Sequence, residues 1–284
     1  MHWLQTLVII ITIIGSGLLI AAFVKNFTFR QSVKKETALL LQACFHEPVI
    51  QINEDRLQQL PPPVLRWLRL THALDMEKPI RSVMIRQEGM LRTKPEGRWM
   101  PFSAKQYSLL DWPSFIWRAR IRAAPGVKIH GRDLYLNGQA DMLIKLMGVL
   151  KVGHAHGREI NQGSLVRYLA EMVWYPTAAL SPYISWEAIG DDMARANISY
   201  GDINASGTFY FQKTGEPVRF VAQRYKEAGG TCTLEEWEIR MGTYKQFQGI
   251  LIPSQGEVSW NLRTGPFHWF RFEVKEAQFD DVPK

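Results

Sequence analysis

The chain has 284 residues, 46% of them hydrophobic, and carries 34 Lys and Arg against 27 Asp and Glu, a formal charge of +7. Those values suit a folded protein with an N-terminal anchor and one large domain, or two small ones. The basic residues are spread along the chain with no nucleic-acid motif beside them, which argues against nucleic-acid binding. The two cysteines, Cys44 and Cys232, allow one disulfide at most and lack metal-ligand spacing.

From Trp3 to Val24 there is no Asp, Glu, Lys or Arg, and the run ends at Lys25. A helix rising about 1.5 Å per residue over that length can cross a hydrocarbon core of about 30 Å. Only Met1 and His2 precede the run, it exceeds a signal-peptide core, and Ala21-Ala22-Phe23 is a poor cleavage site. An uncleaved single-pass transmembrane anchor over residues 1–25 is therefore expected, with the lipid bilayer as its partner. Lys25, Arg30, Lys34 and Lys35 follow at once, where anionic head groups would attract them. They read as a solvated collar, and the positive-inside rule then places the domain in the cytoplasm. Leu41-Gln42-Ala43-Cys44 superficially resembles a lipoprotein cleavage box, but Lys34, Lys35 and Glu36 part it from the apolar run.

Residues 26–59 read as a juxtamembrane helical linker. Asn26–Phe45 is expected to be helical, as is Asn53–Leu60 with Asn53 as a possible cap. Leu60-Pro61-Pro62-Pro63 forces an extended stretch and starts a helix that Val64–Thr71 continues.

From Ser82 the period changes to two. Val83, Ile85 and Gln87 alternate with Met84, Arg86 and Glu88 up to Thr93, and Trp99–Leu110 returns after the turn Pro95-Glu96-Gly97. In Phe115–Ile121, Phe115, Trp117, Ala119 and Ile121 share one face, while Arg118, Arg120 and Arg122 share the other. Such alternation predicts a sheet with one buried face. Val127–Ile129, Asp133–Leu136 and Met142–Val149 read as shorter strands separated by Gly131 and the hairpin turn Asn137-Gly138. Asn161–Trp174 interrupts them with helical spacing, its stripe being Leu165, Leu169, Met172 and Val173. Strands resume at Ser185–Ala188 and Met193–Tyr200. The hairpin of Thr208–Gln212 and Val218–Arg224 follows, then Trp237–Tyr244, Ile250–Ile252, Gly256–Leu262 and Trp269–Glu276. The expected fold is mainly β with α (α+β). Ten to twelve antiparallel strands would make a large curved sheet or open β-barrel packed on helices, filling residues 60–284.

Several phrases are familiar in this order. They are Leu60-Pro61-Pro62-Pro63-Val64, Gly97-Arg98-Trp99-Met100-Pro101-Phe102, Phe115-Ile116-Trp117-Arg118-Ala119-Arg120, Gly131-Arg132-Asp133, Gln162-Gly163-Ser164-Leu165 with Trp174 and Pro176, and Gly256-Glu257-Val258-Ser259-Trp260. Together they resemble an uncharacterised bacterial domain family of unknown function, which brings no activity to carry over. Where an Asp-Ala-Arg-like stretch is expected before the inserted helix, this chain has His154-Ala155-His156. The strand order is also similar to the lipoprotein-carrier (LolA/LolB) fold, an open β-barrel round helices whose apolar interior holds acyl chains. Those carriers act outside the cytoplasm, against the charge count.

The candidate residues follow from these patterns. Trp99, Phe102, Trp117, Tyr168, Leu169, Met172, Trp174 and Trp260 are the expected lining of an apolar pocket, or else core. Asp133, Arg167 and Glu171 are the polar candidates at its mouth; Arg167 and Glu171, four apart, otherwise read as a surface pair. His154, His156 and Glu159 are a loose metal set that reads first as solvated loop, so no metal and no cofactor is expected. The adjacent Asp191 and Asp192 read as a turn. No nucleophile elbow, Cys-His pair or phosphate loop is present. The leading reading is a membrane-anchored open β-barrel that binds a lipid or other hydrophobic ligand. A non-catalytic structural or interaction domain of the cell envelope is the alternative, and an enzyme of unrecognised mechanism comes third.

Overall fold

The computed structural model describes residues 2–42, 50, 52–76 and 80–280. Six strands follow one another by hairpins: β1 (Ser82–Leu91), β2 (Met100–Leu109), β3 (Ser114–Ala124), β4 (Val127–Leu136), β5 (Gln139–Leu146) and β6 (Leu150–His156). Seven more form a second series: β7 (Ile184–Gly190), β8 (Met193–Tyr200), β9 (Ile203–Phe211), β10 (Pro217–Ala228), β11 (Thr231–Phe247), β12 (Ile250–Leu262) and β13 (Gly265–Phe279). All thirteen make one antiparallel sheet in the order β6-β5-β4-β3-β2-β1-β13-β12-β11-β10-β9-β8-β7. The first and last strands thus meet at its centre, with Val83 opposite Phe279 and Leu91 opposite Phe270. A twisted sheet of this width has to curl. It forms a half-barrel with β6 and β7 as its edges.

Alternation assigns the faces. Val83, Ile85, Phe115, Trp117, Ala119, Ile121, Phe209, Phe220, Trp237 and Trp260 point to the concave side and belong to one large buried cluster. The fourth helix of the chain, α4 (Arg158–Glu171), lies between the two series and crosses this concave side. Two 3-10 turns, Met172–Trp174 and Pro176–Leu180, continue it. Leu165, Leu169 and Met172 of the expected stripe have 0% exposure. The helix starts three residues earlier than its sequence suggested. Asn161, the first residue of the expected span, lies inside the helix, and its Oδ1 accepts a hydrogen bond from the Ala140 amide at 2.8 Å.

α1 is one helix from His2 to Gln42. Its second half lies on the convex face, where Phe29, Val33, Leu40 and Leu41 pack on Met84, Tyr107, Leu109 and Ile116. Glu36 reaches Arg132 at 3.2 Å, and the Asn26 side-chain amide donates to the Met147 carbonyl at 3.2 Å. Met147 lies in the β5–β6 turn, at the end of the half-barrel that also carries the β1–β2, β3–β4 and β12–β13 turns. This end is called the lower end. Beyond Asn26 the helix leaves the sheet, and Trp3, Ile9, Ile13, Ile20 and Phe23 are each more than half exposed.

Two expectations change here. Among the described residues no helix is long and apolar enough to cross a membrane, so the transmembrane span expected over Trp3–Val24 is not found. Gln5, Thr6, Thr12 and Ser16 interrupt the run and stand exposed among its apolar side chains. The helix expected from Asn26 is no separate linker but the docked continuation of the same helix. Cys44 and Phe45 lie outside the described residues, and Cys232 is a free, partly buried thiol.

α2 (Glu54–Gln58) begins where Asn53 Oδ1 accepts from the Arg56 amide at 2.9 Å, the expected cap. α3 (Pro62–Leu70) has proline in its first turn and buries Val64, Trp67 and Leu68. Trp67 stacks on Phe209 with centroids 6.4 Å apart, closing the upper end of the concave side. Gly131 does not end a strand: β4 runs through it, because a Cβ there would meet only the Trp117 ring at 3.4 Å. His154 and His156 lie on β6, not in a loop.

Candidate functional site

The concave wall divides in two. Its upper part is filled by α3, α4 and the 3-10 turns. Its lower part is a band of aromatic side chains running across five strands. Trp237 and Trp260 are cross-strand neighbours with centroids 6.4 Å apart, and Phe267 sits opposite Trp260 in register. Phe270 stacks on Phe102 at 4.7 Å, and Phe102 lies 6.4 Å from Trp117. Phe272 meets Trp174 edge-on at 5.3 Å. Glycine makes room for this band: a Cβ at Gly256 would come within 2.6 Å of the Phe272 ring. Met100, Ile129, Leu262 and Phe270 edge the band and are only partly buried. The edge of this apolar wall is thus partly exposed at the lower end, where α1 leaves the sheet.

A polar lock closes the top of this wall. Arg167 on α4 donates to Glu171 Oε1 at 2.7 Å, to Asp133 Oδ2 at 2.9 Å and to Gln106 Oε1 at 2.9 Å. The Gln106 side-chain amide donates back to Glu171 Oε2 at 2.7 Å. The guanidinium also lies 4.8 Å from the Phe115 centroid. Arg167, Asp133 and Glu171 keep side-chain exposures of 14%, 17% and 10%, so this is a buried network, not a surface pair. Burial opposes the charge on Arg167, and the Glu171 and Asp133 carboxylates more than restore it. Burial lifts the Asp133 carboxyl above its usual range, with Arg167 pulling the other way. Glu171 Oε1, Asp133 Oδ2 and Gln106 Oε1 all hold the guanidinium and Gln106 ties down Glu171 Oε2, which suits positioning.

Arg224, on β10, is the residue that sequence reading missed. It lies over Trp237 at 4.5 Å and Trp260 at 5.7 Å, and its Nε donates to the Gly163 carbonyl at 2.8 Å. Among the described residues no carboxylate pairs with it. Burial, then the Arg167 charge, pushes its pKa down to about 10, so it stays a cation at neutral pH. A lone arginine in an alternating strand reads as a solvent-facing residue. Only the two tryptophans on the next two strands, β11 and β12, reveal what it faces.

The other candidates fall as follows. Tyr168, Leu169, Met172 and Trp174 lie above the aromatic band; the Tyr168 hydroxyl donates to the Leu109 carbonyl at 2.9 Å and Trp174 Nε1 to the Pro253 carbonyl at 3.0 Å. Trp99 is apart from them, clasped on the outer side between Arg92 at 4.8 Å and Arg271 at 4.7 Å. His154 is held by Asp141 at 2.8 Å, with the His156 ring tilted beside it at 5.1 Å. Among the described residues no group of three His, Cys, Asp or Glu could hold a metal ion. Asp192 pairs with Arg66 at 2.9 Å, which ties the β7–β8 turn to α3.

A family model described as a family of unknown function, DUF6544, matches residues 50–272, and the chain belongs to that family. No curated protein matches. Among solved structures the chain is similar to a LolA superfamily protein from Nitrosomonas europaea. That likeness has 10% identity and a TM-score of 0.42, and covers 74% of this chain and 91% of the other. It is also similar to a DUF1329 family protein from Desulfovibrio piger, at 12% identity and a TM-score of 0.35, covering 79% and 95%.

Proposed function

We propose that this DUF6544 domain binds a lipid or another hydrophobic ligand at the lower mouth of its half-barrel, while the apolar arm of α1 holds it at a membrane. One observation supports the reading: the partly exposed edge of the aromatic wall lies at the same end from which α1 departs. A ligand leaving the lipid around that arm would meet Phe270, Phe102 and Trp260 without crossing water. Its affinity would come from buried methylenes, worth about 0.8 kcal/mol each. Arg224, a cation over two tryptophans with no carboxylate partner, would take an acidic head. The lock around Arg167 fixes α4 as the ceiling of the site. The uncharged run Trp3–Val24 and its exposed Ile9, Ile13, Ile20 and Phe23 support contact of the arm with lipid.

Native mass spectrometry of the full chain extracted in mild detergent tests this. The wild type should carry a lipid-sized adduct. Phe270→Asp, at a partly exposed position of the wall, should lose it while melting cooperatively. A wild type with no adduct, and no quenching of tryptophan by brominated fatty acid, would sink the proposal. A structural or interaction domain would then stand, which the complete burial of Leu165, Leu169 and Met172 favours.

A further inference from the structure

The convex face beside α1 carries cations in direct register. Arg86, Lys105, Arg118 and Arg132 are successive cross-strand neighbours on β1 to β4. One row lower, Arg120 faces His130, and below that Arg122 faces Lys128. Like charges placed directly opposite each other destabilise a sheet. The ends of the long row are neutralised, Arg86 by Glu276 at 2.7 Å and Arg132 by Asp141 and Glu36. Its middle is not. Among the described residues no carboxylate pairs with Lys105, Arg118 or Arg120.

α1 adds to this excess. Arg30 and Lys34 stand over the same rows and close a cleft of about 420 Å³ against Lys105, Arg118, Arg120 and His130. Glu88 is the one acid among the described residues that line it. Burial and then the charges of Arg120, Arg30 and Lys128 pull the His130 imidazole below its usual pKa, which registers the positive field. A second cavity shares Arg120 and carries the cationic strip on through Arg122 and Lys128 to the lower rim. Phe29 and Val33 form the apolar part of the cleft wall. The collar residues Arg30 and Lys34, exposed on α1, thus also line this cleft.

We propose that this cleft binds the phosphate of a phosphate ester, which cancels the repulsion between the cationic rows. Two adjacent guanidinium groups suit the oxygens of a phosphate, which they can bind in pairs. Arg30 lies six residues beyond Val24, about 9 Å along the helix at 1.5 Å per residue. If the arm of α1 lies in lipid, the cleft sits at the depth of lipid phosphates. A lipid head group and a soluble phosphate ester offer the same chemistry, and the test separates them.

The full chain in detergent is melted with inorganic phosphate, with dihexanoyl phosphatidic acid and with dihexanoyl phosphatidylcholine, at one ionic strength. Arg118→Gln/Arg120→Gln removes the sheet side of the site, Arg30→Gln removes the helix side, and Arg195→Gln on exposed β8 is the charge control. The double variant should melt no lower than wild type in phosphate-free buffer, because it relieves like-charge pairs. Phosphatidic acid should raise the wild-type melting temperature, with affinity about tenfold weaker in the double variant and in Arg30→Gln and unchanged in Arg195→Gln. A response to phosphatidic acid above that to phosphate assigns a lipid head group; equal responses assign a soluble ester. A rise given equally by phosphatidylcholine and untouched by the variants would belong to the concave mouth, and would overturn the cleft while leaving the mouth standing. No anion response, or a loss shared by Arg195→Gln, also overturns it.

Discussion

Replacing Arg167 with Met leaves Asp133, Glu171 and Gln106 facing one another without their cation. Arg167 makes three charge-assisted hydrogen bonds of 2.7 to 2.9 Å, each worth about 1.5–3 kcal/mol. Methionine keeps an unbranched apolar stem in place of the arginine stem, so packing changes little. Breaking a buried pair by removing one partner costs about 3–5 kcal/mol, because the other charge is left desolvated. For a domain of this size about 1 kcal/mol moves the melting temperature by about 2–4 °C, so Arg167→Met should melt about 6–20 °C below wild type. The penalty should depend on pH. Burial already holds the Asp133 carboxyl above its usual range, and without Arg167 it should rise further. A carboxyl whose folded pKa lies above its unfolded value destabilises at high pH, and the loss is recovered as pH falls through the folded pKa. The deficit should thus be larger at pH 8 than at pH 5. Arg167→Met/Asp133→Leu/Glu171→Leu/Gln106→Leu should recover much of it, since an apolar replacement of a whole network is often nearly neutral. Thermal melts across that pH range check each part. A single variant within about 1 kcal/mol of wild type at pH 8, with no pH dependence, would mean that the lock is solvated and the reasoning fails.

Gly256→Ala should cost about 1–3 kcal/mol in urea melts, because its methyl would meet the Phe272 ring, whereas Gly242→Ala, with nothing within 4 Å, should be close to neutral. Phe29→Ala/Val33→Ala should undock α1 without unfolding the sheet, raising amide exchange in Phe29–Gln42 about 100-fold or more while β1 and β13 stay protected. Burial pushes the Asp141 carboxyl up, but the hydrogen bond from His154 and the charge of Arg132 outweigh it and hold the carboxyl below its usual range. Its contribution is therefore present above about pH 4 and is lost as pH falls through the folded pKa. His154→Ala should accordingly lose less stability than wild type between pH 5 and pH 2 in acid melts.

The sheet was largely legible, because alternation marks strands with one buried face. Phe115, Trp117, Ala119 and Ile121 are all on the concave wall. Strands were cut short where alternation carries a glycine or a small residue: Gly131 and Gly256 look like breaks, yet both lie under aromatic rings from the next strand. β6 was missed because Leu150 and Val152 stand more than half exposed on an edge strand, so burial never orders its pattern. The lock around Arg167 could be anticipated from the four-residue spacing to Glu171, but Gln106 could not, since it is drawn in from β2 by tertiary packing alone. Arg224 and the opposed cations of the convex face share that reason. Each depends on the register between successive strands, which alternation within a single strand does not reveal.

The pairing of β1 with β13 means that the seam at the middle of the sheet joins residues from near both ends of the domain. Each series of hairpins can form from contacts close in sequence, but the seam cannot close until β13 has left the ribosome. Long-range pairing of this kind is slow, and an unpaired strand edge meanwhile is open to other chains. β1 has its whole length exposed to that hazard while about two thirds of the chain is still being made. During that interval α1, made first, can already cover the convex side of β1 and β2 through Met84, Tyr107 and Leu109. The docked half of α1 would then act as an intramolecular chaperone, holding the first arm of the half-barrel until the second arrives to close it.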